Sequence, residues 1–285
     1  MAIGDITLTS AMRSNLVSLQ STETLLGRTQ ERLSTGKRVN TAVDNPTNFF
    51  AARAHTQRAD LLNGLKDTIS EAIQTVKAAD NGVVSINRLI ESLRGVITQA
   101  RSAVNSQTSA TEIAGLTSQY NELIRQINNT QQDSAYKGVN FLSSAATLTV
   151  NFNEQATSQL IMSGFAGHTS GLGLSGGTYT GSGGLTSANF DDTTDFNNIE
   201  TTLNVALATL RTESGSLAAN LAILTVRQSF ITDIVNTLAE GATKLTVADT
   251  NEEGANMLLL NTRQQLGTTA LSLSAQANAA VLRLF

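Results

Sequence analysis

An apolar residue stands at alternating third and fourth positions without a gap from Leu62 to Val104. The run is Leu62, Leu65, Ile69, Ala72, Val76, Ala79, Val83, Ile86, Ile90, Leu93, Ile97, Ala100 and Val104. That spacing is the seam of a coiled coil. At the helical rise it makes a rod of roughly 60 Å. A shorter seam follows at Ile113, Leu116, Tyr120, Leu123 and Ile127. A third lies far along the chain, at Phe196, Ile199, Leu203, Ala206, Leu210, Leu217, Leu224, Ile231, Ile234 and Leu238. Its interrupted steps fall at Glu213, Asn220 and Arg227, and polar residues at seam positions can fix register.

Composition agrees with long helices. Pro46 is the one proline in 285 residues, and proline is the strongest helix breaker. Only 4% of residues are aromatic and none is Trp, so the core must pack with Leu, Ile, Val and Ala. Small aliphatic packing suits helix against helix. A net charge of −4 gives no basic footprint for nucleic acid. The absence of cysteine excludes a disulfide framework and a thiolate metal site. The first residues show no basic region followed by an apolar one, so no Sec-type signal is expected. No stretch approaches the roughly 18 apolar residues of a membrane span.

The two ends carry thinner patterns. Met12, Leu16, Leu19, Leu26 and Leu33 form one stripe, while Leu259, Leu266, Leu273 and Ala280 recur every seven residues. Each end alone would be a marginal helix. The middle changes character: Thr147 to Phe152 alternates as a half-buried strand does, and a Gly/Ser/Thr run follows. Asp191, Asp192 or the threonines after them could cap the returning helix. The expected fold is therefore mainly α: a long coiled-coil helical hairpin with paired terminal helices and a small central β insert. Its expected divisions are 1–42 with 246–285, 43–144 with 191–245, and 145–190.

Nothing in the chain argues for catalysis. Gly171 to Gly176 matches GxGxxG formally but lacks the strand before it and the helix after it. His55 and His168 stand far apart in sequence, and a metal site needs three or four convergent ligands. Glu252 and Glu253 are adjacent, so they diverge on a helix and read as a solvated helix start. Asn128-Asn-Thr130 fits a glycosylation pattern but lies in helical sequence, and is read as chance. No enzyme activity, cofactor or metal is expected.

Both ends resemble one known family. Leu33-Ser-Thr-Gly-Lys-Arg-Val-Asn-Thr-Ala-Val-Asp-Asn-Pro46 is similar to the N-terminal motif of bacterial flagellins. Asn251-Glu-Glu-Gly-Ala-Asn-Met-Leu258, Gln264-Gln-Leu266 and Ala279-Ala-Val-Leu-Arg-Leu-Phe285 look like the C-terminal signature. The resemblance covers both ends and both rods. It implies a filament subunit in which 1–42 with 246–285 form an inner helical domain and 43–144 with 191–245 an outer one. The insert at 145–190 would face solvent.

By the same resemblance, polymerisation falls to the inner helices through Met12, Leu16, Leu19, Leu26, Leu33, Leu259, Leu266, Leu273, Val281, Leu282, Leu284 and Phe285. The rod core is expected at Leu65, Ile69, Val76, Val83, Ile90, Leu93 and Ile97, against Leu210, Leu217, Leu224 and Ile231. The family's Asp-Asp-Pro appears as Asp44-Asn45-Pro46, which sets the bend between end helix and rod. Implied partners are further copies of the chain, an export chaperone, and cap and hook-junction proteins. Export would run through the flagellar type III apparatus without a cleaved signal. A hook-associated protein of the same superfamily is the competing reading. Flagellins that trigger the flagellin-sensing Toll-like receptor resemble one another near Gln-Arg-Val-Arg-Glu-Leu. The similar stretch here is Glu91-Ser92-Leu93-Arg94-Gly95-Val96, with Ser92 in place of an arginine and Gly95 in place of the glutamate. The resemblance therefore implies weak signalling through that receptor.

Overall fold

The computed structural model describes residues 10–107, 109–174 and 193–282, without the side chains of 193–195 and 281–282. Its elements are α1 (Ser10–Thr35), α2 (Pro46–Asn105), α3 (Ala110–Asp133), β1 (Thr147–Asn151), β2 (Gln159–Ser163), α4 (Thr193–Thr246) and α5 (Thr250–Leu282). The chain divides into two compact units, Met1–Ala59 with Asn236–Phe285, and Asp60–Val235. These divisions fall later along the chain at α2, and earlier at α4, than the boundaries read from the sequence.

In the second unit the long seam is the core. From Ile69 to Ala100 every seam residue of α2 is buried, and Ile69, Ala79, Val83, Ile86, Ile90, Leu93 and Ala100 are fully so. Leu65 and Val104, towards the seam's ends, are half-buried. On α4, Phe196, Ile199, Leu203, Ala206, Leu210, Leu217, Leu224 and Ile231 are buried. Polar bridges record how α2 and α4 run. Gln228 Nε2 donates to Ser70 Oγ (2.7 Å), Ser214 Oγ to Asp80 Oδ1 (3.2 Å), Arg94 Nη2 to Asn204 Oδ1 (3.0 Å) and Arg101 Nη2 to Asn197 Oδ1 (3.0 Å). Numbers rise on one helix as they fall on the other, so the pair is antiparallel in a steady register. Glu213 and Asn220, the interrupted steps, are half-buried. Arg227 is exposed, with its guanidinium 5.0 Å from the Phe152 ring.

Helix α2 also buries Ile73, Thr75, Gly82, Val96 and Ala103, a second stripe beside the first. Val96 shares a groove with Ser118, Gln119 and Leu123 of α3. Gly82 has no room for a Cβ, because Ser134 and Leu142 occupy that space. Glycine is thus required there for the chain after α3 to lie against α2. Lys137 Nζ fastens that chain to Glu71 Oε2 at 2.7 Å.

The insert is an antiparallel hairpin. Leu148 pairs with Met162 and Val150 with Leu160. Val150 and Met162 are buried while Thr149 and Ile161 are exposed, as the two-residue period of a strand requires. Asn128, read from sequence as an incidental glycosylation pattern, is structural: its Oδ1 accepts bonds from Thr169 N (3.0 Å) and Oγ1 (3.1 Å).

Candidate functional site

The sequence singled out the chain ends, and the first unit brings them together. α1 and α5 pack antiparallel along most of their length. Leu19 meets Gly267, Arg32 meets Glu253, and the Asn278 amide reaches Met12 Sδ at 3.0 Å. The residues turned inward on α5 follow steps of four and three: Glu253, Met257, Leu260, Gln264, Gly267, Leu271, Ser274 and Asn278. On α1 they are Met12, Asn15, Leu19, Thr22, Leu26, Thr29 and Arg32. Both rows are mixed, with leucines separated by small and polar groups.

The α5 stripe read from the sequence lies on the face turned away from α1. Leu259, Leu266 and Leu273 do not face α1; they stay exposed, at 50%, 65% and 66%. Leu258, at 70%, joins them. On α1, Leu26 is buried and Met12 and Leu19 are half-buried, while Leu16 and Leu33 are exposed. The pair thus keeps a mixed seam inside, with Leu26 and Leu260 buried, and carries further leucines outside. Of the remaining terminal positions, Leu284 and Phe285 lie outside the described residues, as do the side chains of Val281 and Leu282.

Glu253 also differs from its expected place on a solvated helix start. It is 6% exposed, and Arg32 Nη1 donates to its Oε1 at 2.9 Å. Glu252, its neighbour in sequence, is exposed. Asp249, just before α5, caps it: its Oδ1 accepts from Asn251 N (2.9 Å) and Glu252 N (3.3 Å).

The two interruptions of the helical chain lie side by side. Arg38 N (2.7 Å) and Val39 N (3.3 Å) donate to Thr246 O, and Ala248 N donates to Gly36 O at 3.0 Å. Lys37 and Val247 form an antiparallel bridge. Gly36 holds φ at +68°, a left-handed turn that lets α1 stop and the chain reach across.

Asp44-Asn45-Pro46 then starts α2. Asp44 Oδ2 accepts bonds from Asn40 N (3.1 Å), Thr41 N (2.9 Å) and Thr41 Oγ1 (3.1 Å). The bond from the Thr41 amide does most to hold this carboxyl below its ordinary range, with Asn40 N–H next. Asn45 Oδ1 accepts from Asn48 N at 3.0 Å and so caps the helix, while Pro46 occupies its first position.

The receptor-type stretch lies on α2. Ser92 and Gly95 are exposed; Arg94 is half-buried and bound to Asn204 on α4 and Glu91 on its own helix. No group of three or more His, Cys, Asp or Glu able to hold a metal occurs among the described residues. Nor is any described helix long and apolar enough to cross a membrane.

Comparison with known proteins finds similarity to flagellins. Residues 6–147 match the family described as the bacterial flagellin N-terminal helical region. The chain is 25% identical to flagellin FljO of Caulobacter vibrioides over 285 residues, covering 100% of both chains. It is 27% identical to a flagellin of Brucella melitensis, covering 99% of each. Among solved structures, a Bacillus cereus flagellin crystal structure aligns at a TM-score of 0.45 and 17% identity. That alignment covers 57% of this chain and 88% of that one.

Proposed function

The chain belongs to the bacterial flagellin family, and from that premise we propose how its parts build the flagellar filament. It is a structural subunit of that filament, not an enzyme, and its place is extracellular. The hook-associated alternative is not favoured, because relatives matched along their whole length are flagellins.

The observation that carries the proposal is the row of exposed leucines on the α1–α5 pair. Leucines at 259, 266 and 273 face outward, away from a mixed seam in which Leu26 and Leu260 are buried beside Gln264, Gly267, Ser274 and Asn278. Exposing such side chains in a row is unfavourable, and burying each contributes about 1.5–3 kcal/mol. In our reading these leucines, with Leu16 and Leu33, are covered by neighbouring copies, while Met12, Leu19 and Leu26 hold the pair together. Val281, Leu282, Leu284 and Phe285 extend the same contact. Residues 1–42 with 246–285 act as the inner domain, 43–144 with 191–245 as the outer one, and 145–190 faces solvent. Asp44, Asn45 and Pro46 form the bend between inner and outer parts.

Family membership also motivates further partners: an export chaperone, cap and hook-junction proteins, and passage through the type III apparatus. Deleting Ala280–Phe285 tests the assembly reading. The truncated protein should keep its helical signal and fail to extend filament seeds. Extension at the wild-type rate would overturn the inner-domain assignment.

A further inference from the structure

Helix α4 is held unevenly along α2. From Phe196 to Leu210 its buried residues keep the alternating steps of three and four: Phe196, Ile199, Leu203, Ala206 and Leu210. Beyond Leu210 burial falls on every seventh residue, at Leu217, Leu224 and Ile231, and Glu213, Asn220 and Arg227 take the steps between. The first gap, Leu210 to Leu217, leaves about 10 Å of helix without a buried side chain.

That gap also holds poor helix formers, Thr212-Glu-Ser-Gly-Ser216. Gly/Ser pairs are a common cause of helix kinks. Thr212 Oγ1 donates to Ala208 O (3.1 Å) and Ser216 Oγ to Thr212 O (3.3 Å), and such back-bonding bends a helix. Packing does not account for Gly215: nothing lies within 4 Å of its would-be Cβ, in contrast to Gly82. A groove of about 480 Å³ opens between α2 and α4 beside this stretch, lined by Asn87, Arg94, Asn204, Arg211 and Ser214 among others.

At the same level α2 is uninterrupted. Ser214 Oγ donates to Asp80 Oδ1, which sets the gap against a turn where Val76, Ala79, Val83 and Ile86 are all buried. The chain after α3 covers that turn through Ser134 and Leu142 on Gly82.

We propose that Thr212–Ser216 is a joint in α4, opening and closing as a unit while α2 stays intact as the spine of the rod. Sparse apolar contact lowers the free energy of local opening. Five buried apolar residues hold 196–210 and three hold 217–231, stretches of equal length, so opening frees the later one first. The Ser214–Asp80 bond is the catch that opening releases. A rod built this way changes curvature without dismantling its core. The inference goes beyond the filament reading and is tested on the single chain.

Amide exchange on the full-length monomer reads the joint. Relative to intrinsic rates, amides of 213–219 should exchange roughly tenfold faster, or more, than those of 200–207 in α4 and 79–86 in α2. Equal protection of the three stretches overturns the proposal. Gly215→Ala should slow exchange at 213–219 about fivefold, the worth of the propensity difference, and leave 79–86 unchanged. A slowing shared by every amide of Asp60–Val235 would mean that the stretch opens only with the whole unit, which also overturns it. As a second variant, Glu213→Leu supplies the missing step of the seam and should slow the same amides roughly tenfold. Unchanged exchange at 213–219 in that variant overturns the proposal as well.

Discussion

Leu19 of α1 fills the space where a side chain at position 267 of α5 would begin. A Cβ built on Gly267 would lie 2.7 Å from Leu19 Cδ2 and 3.0 Å from its Cγ. The two helices therefore meet closely there through a residue with nothing on its α-carbon.

Gly267→Leu should wedge the pair apart. Overpacking of this kind costs about 1–3 kcal/mol, and the seam has few large apolar contacts with which to absorb it. The expected result is faster amide exchange along α1 and α5, with exchange in Asp60–Val235 unchanged. Gly254 is the control, since nothing lies within 4 Å of its would-be Cβ. Gly254→Ala should stabilise α5 by about 1 kcal/mol through helix propensity. Equal exchange in the Gly267→Leu variant and wild type would remove the close-packing argument.

The Arg32–Glu253 pair predicts an asymmetric double-mutant cycle. Glu253 has a side chain 8% exposed, whereas that of Arg32 is 27% exposed. Arg32→Met strands a buried carboxylate and should cost about 3 kcal/mol. Glu253→Met leaves an arginine that can turn towards water and should cost about 1 kcal/mol. Thermal unfolding of the two single variants and the double variant measures the difference. Equal costs would mean that Glu253 is solvated after all.

Acid should loosen the start of α2. The Asp44 carboxyl is held below its ordinary value, foremost by the Thr41 amide. Stability from such a group is complete above the unfolded value, near 3.9, and is lost as pH falls through the lower folded one. Exchange at the Asn40 and Thr41 amides should therefore quicken below about pH 4, beyond the intrinsic pH trend. In Asp44→Asn that extra acid limb should vanish. Lys137 behaves oppositely: its bond to Glu71 raises it, so its contribution is present at neutral pH and lost as pH climbs past the raised value.

Ser92 and Gly95 are exposed, and by the resemblance drawn from the sequence they stand where receptor-stimulating flagellins carry an arginine and a glutamate. Losing an arginine at an interface centre can cost 2 kcal/mol or more, roughly thirtyfold in affinity. Reporter cells should respond weakly to wild-type monomer and more strongly to Ser92→Arg with Gly95→Glu. A wild-type response as strong as that of a stimulatory flagellin would count against the prediction.

How much of this was legible beforehand depended on what each seam is made of. The α2 and α4 seams are long and unmixed, so spacing alone found Ile69 to Ala100 and Phe196 to Ile231. The second buried stripe of α2 was missed, because Thr75 and Gly82 look like surface residues until the chain after α3 lies on them. At the ends, leucine at every seventh position drew attention to 259, 266 and 273, while the seam facing α1 was not read: it mixes Met257, Leu260 and Leu271 with Gln264, Gly267, Ser274 and Asn278. Polarity normally marks solvent. Here polar positions share the α1–α5 seam with buried Leu26 and Leu260, and other leucines remain on the solvent side.

The clasp joining the two helix breaks consists of main-chain groups alone, with Arg38, Val39 and Ala248 as donors and Thr246 and Gly36 as acceptors. Its information content is accordingly unusual. Nineteen of the twenty amino acids carry the N–H it needs, so sequence drift at the donor positions leaves the bonds available. What the clasp imposes is a veto: proline at 38, 39 or 248 would delete a donor outright. Two helix ends can thus remain stitched together while almost every side chain around the stitch is replaced.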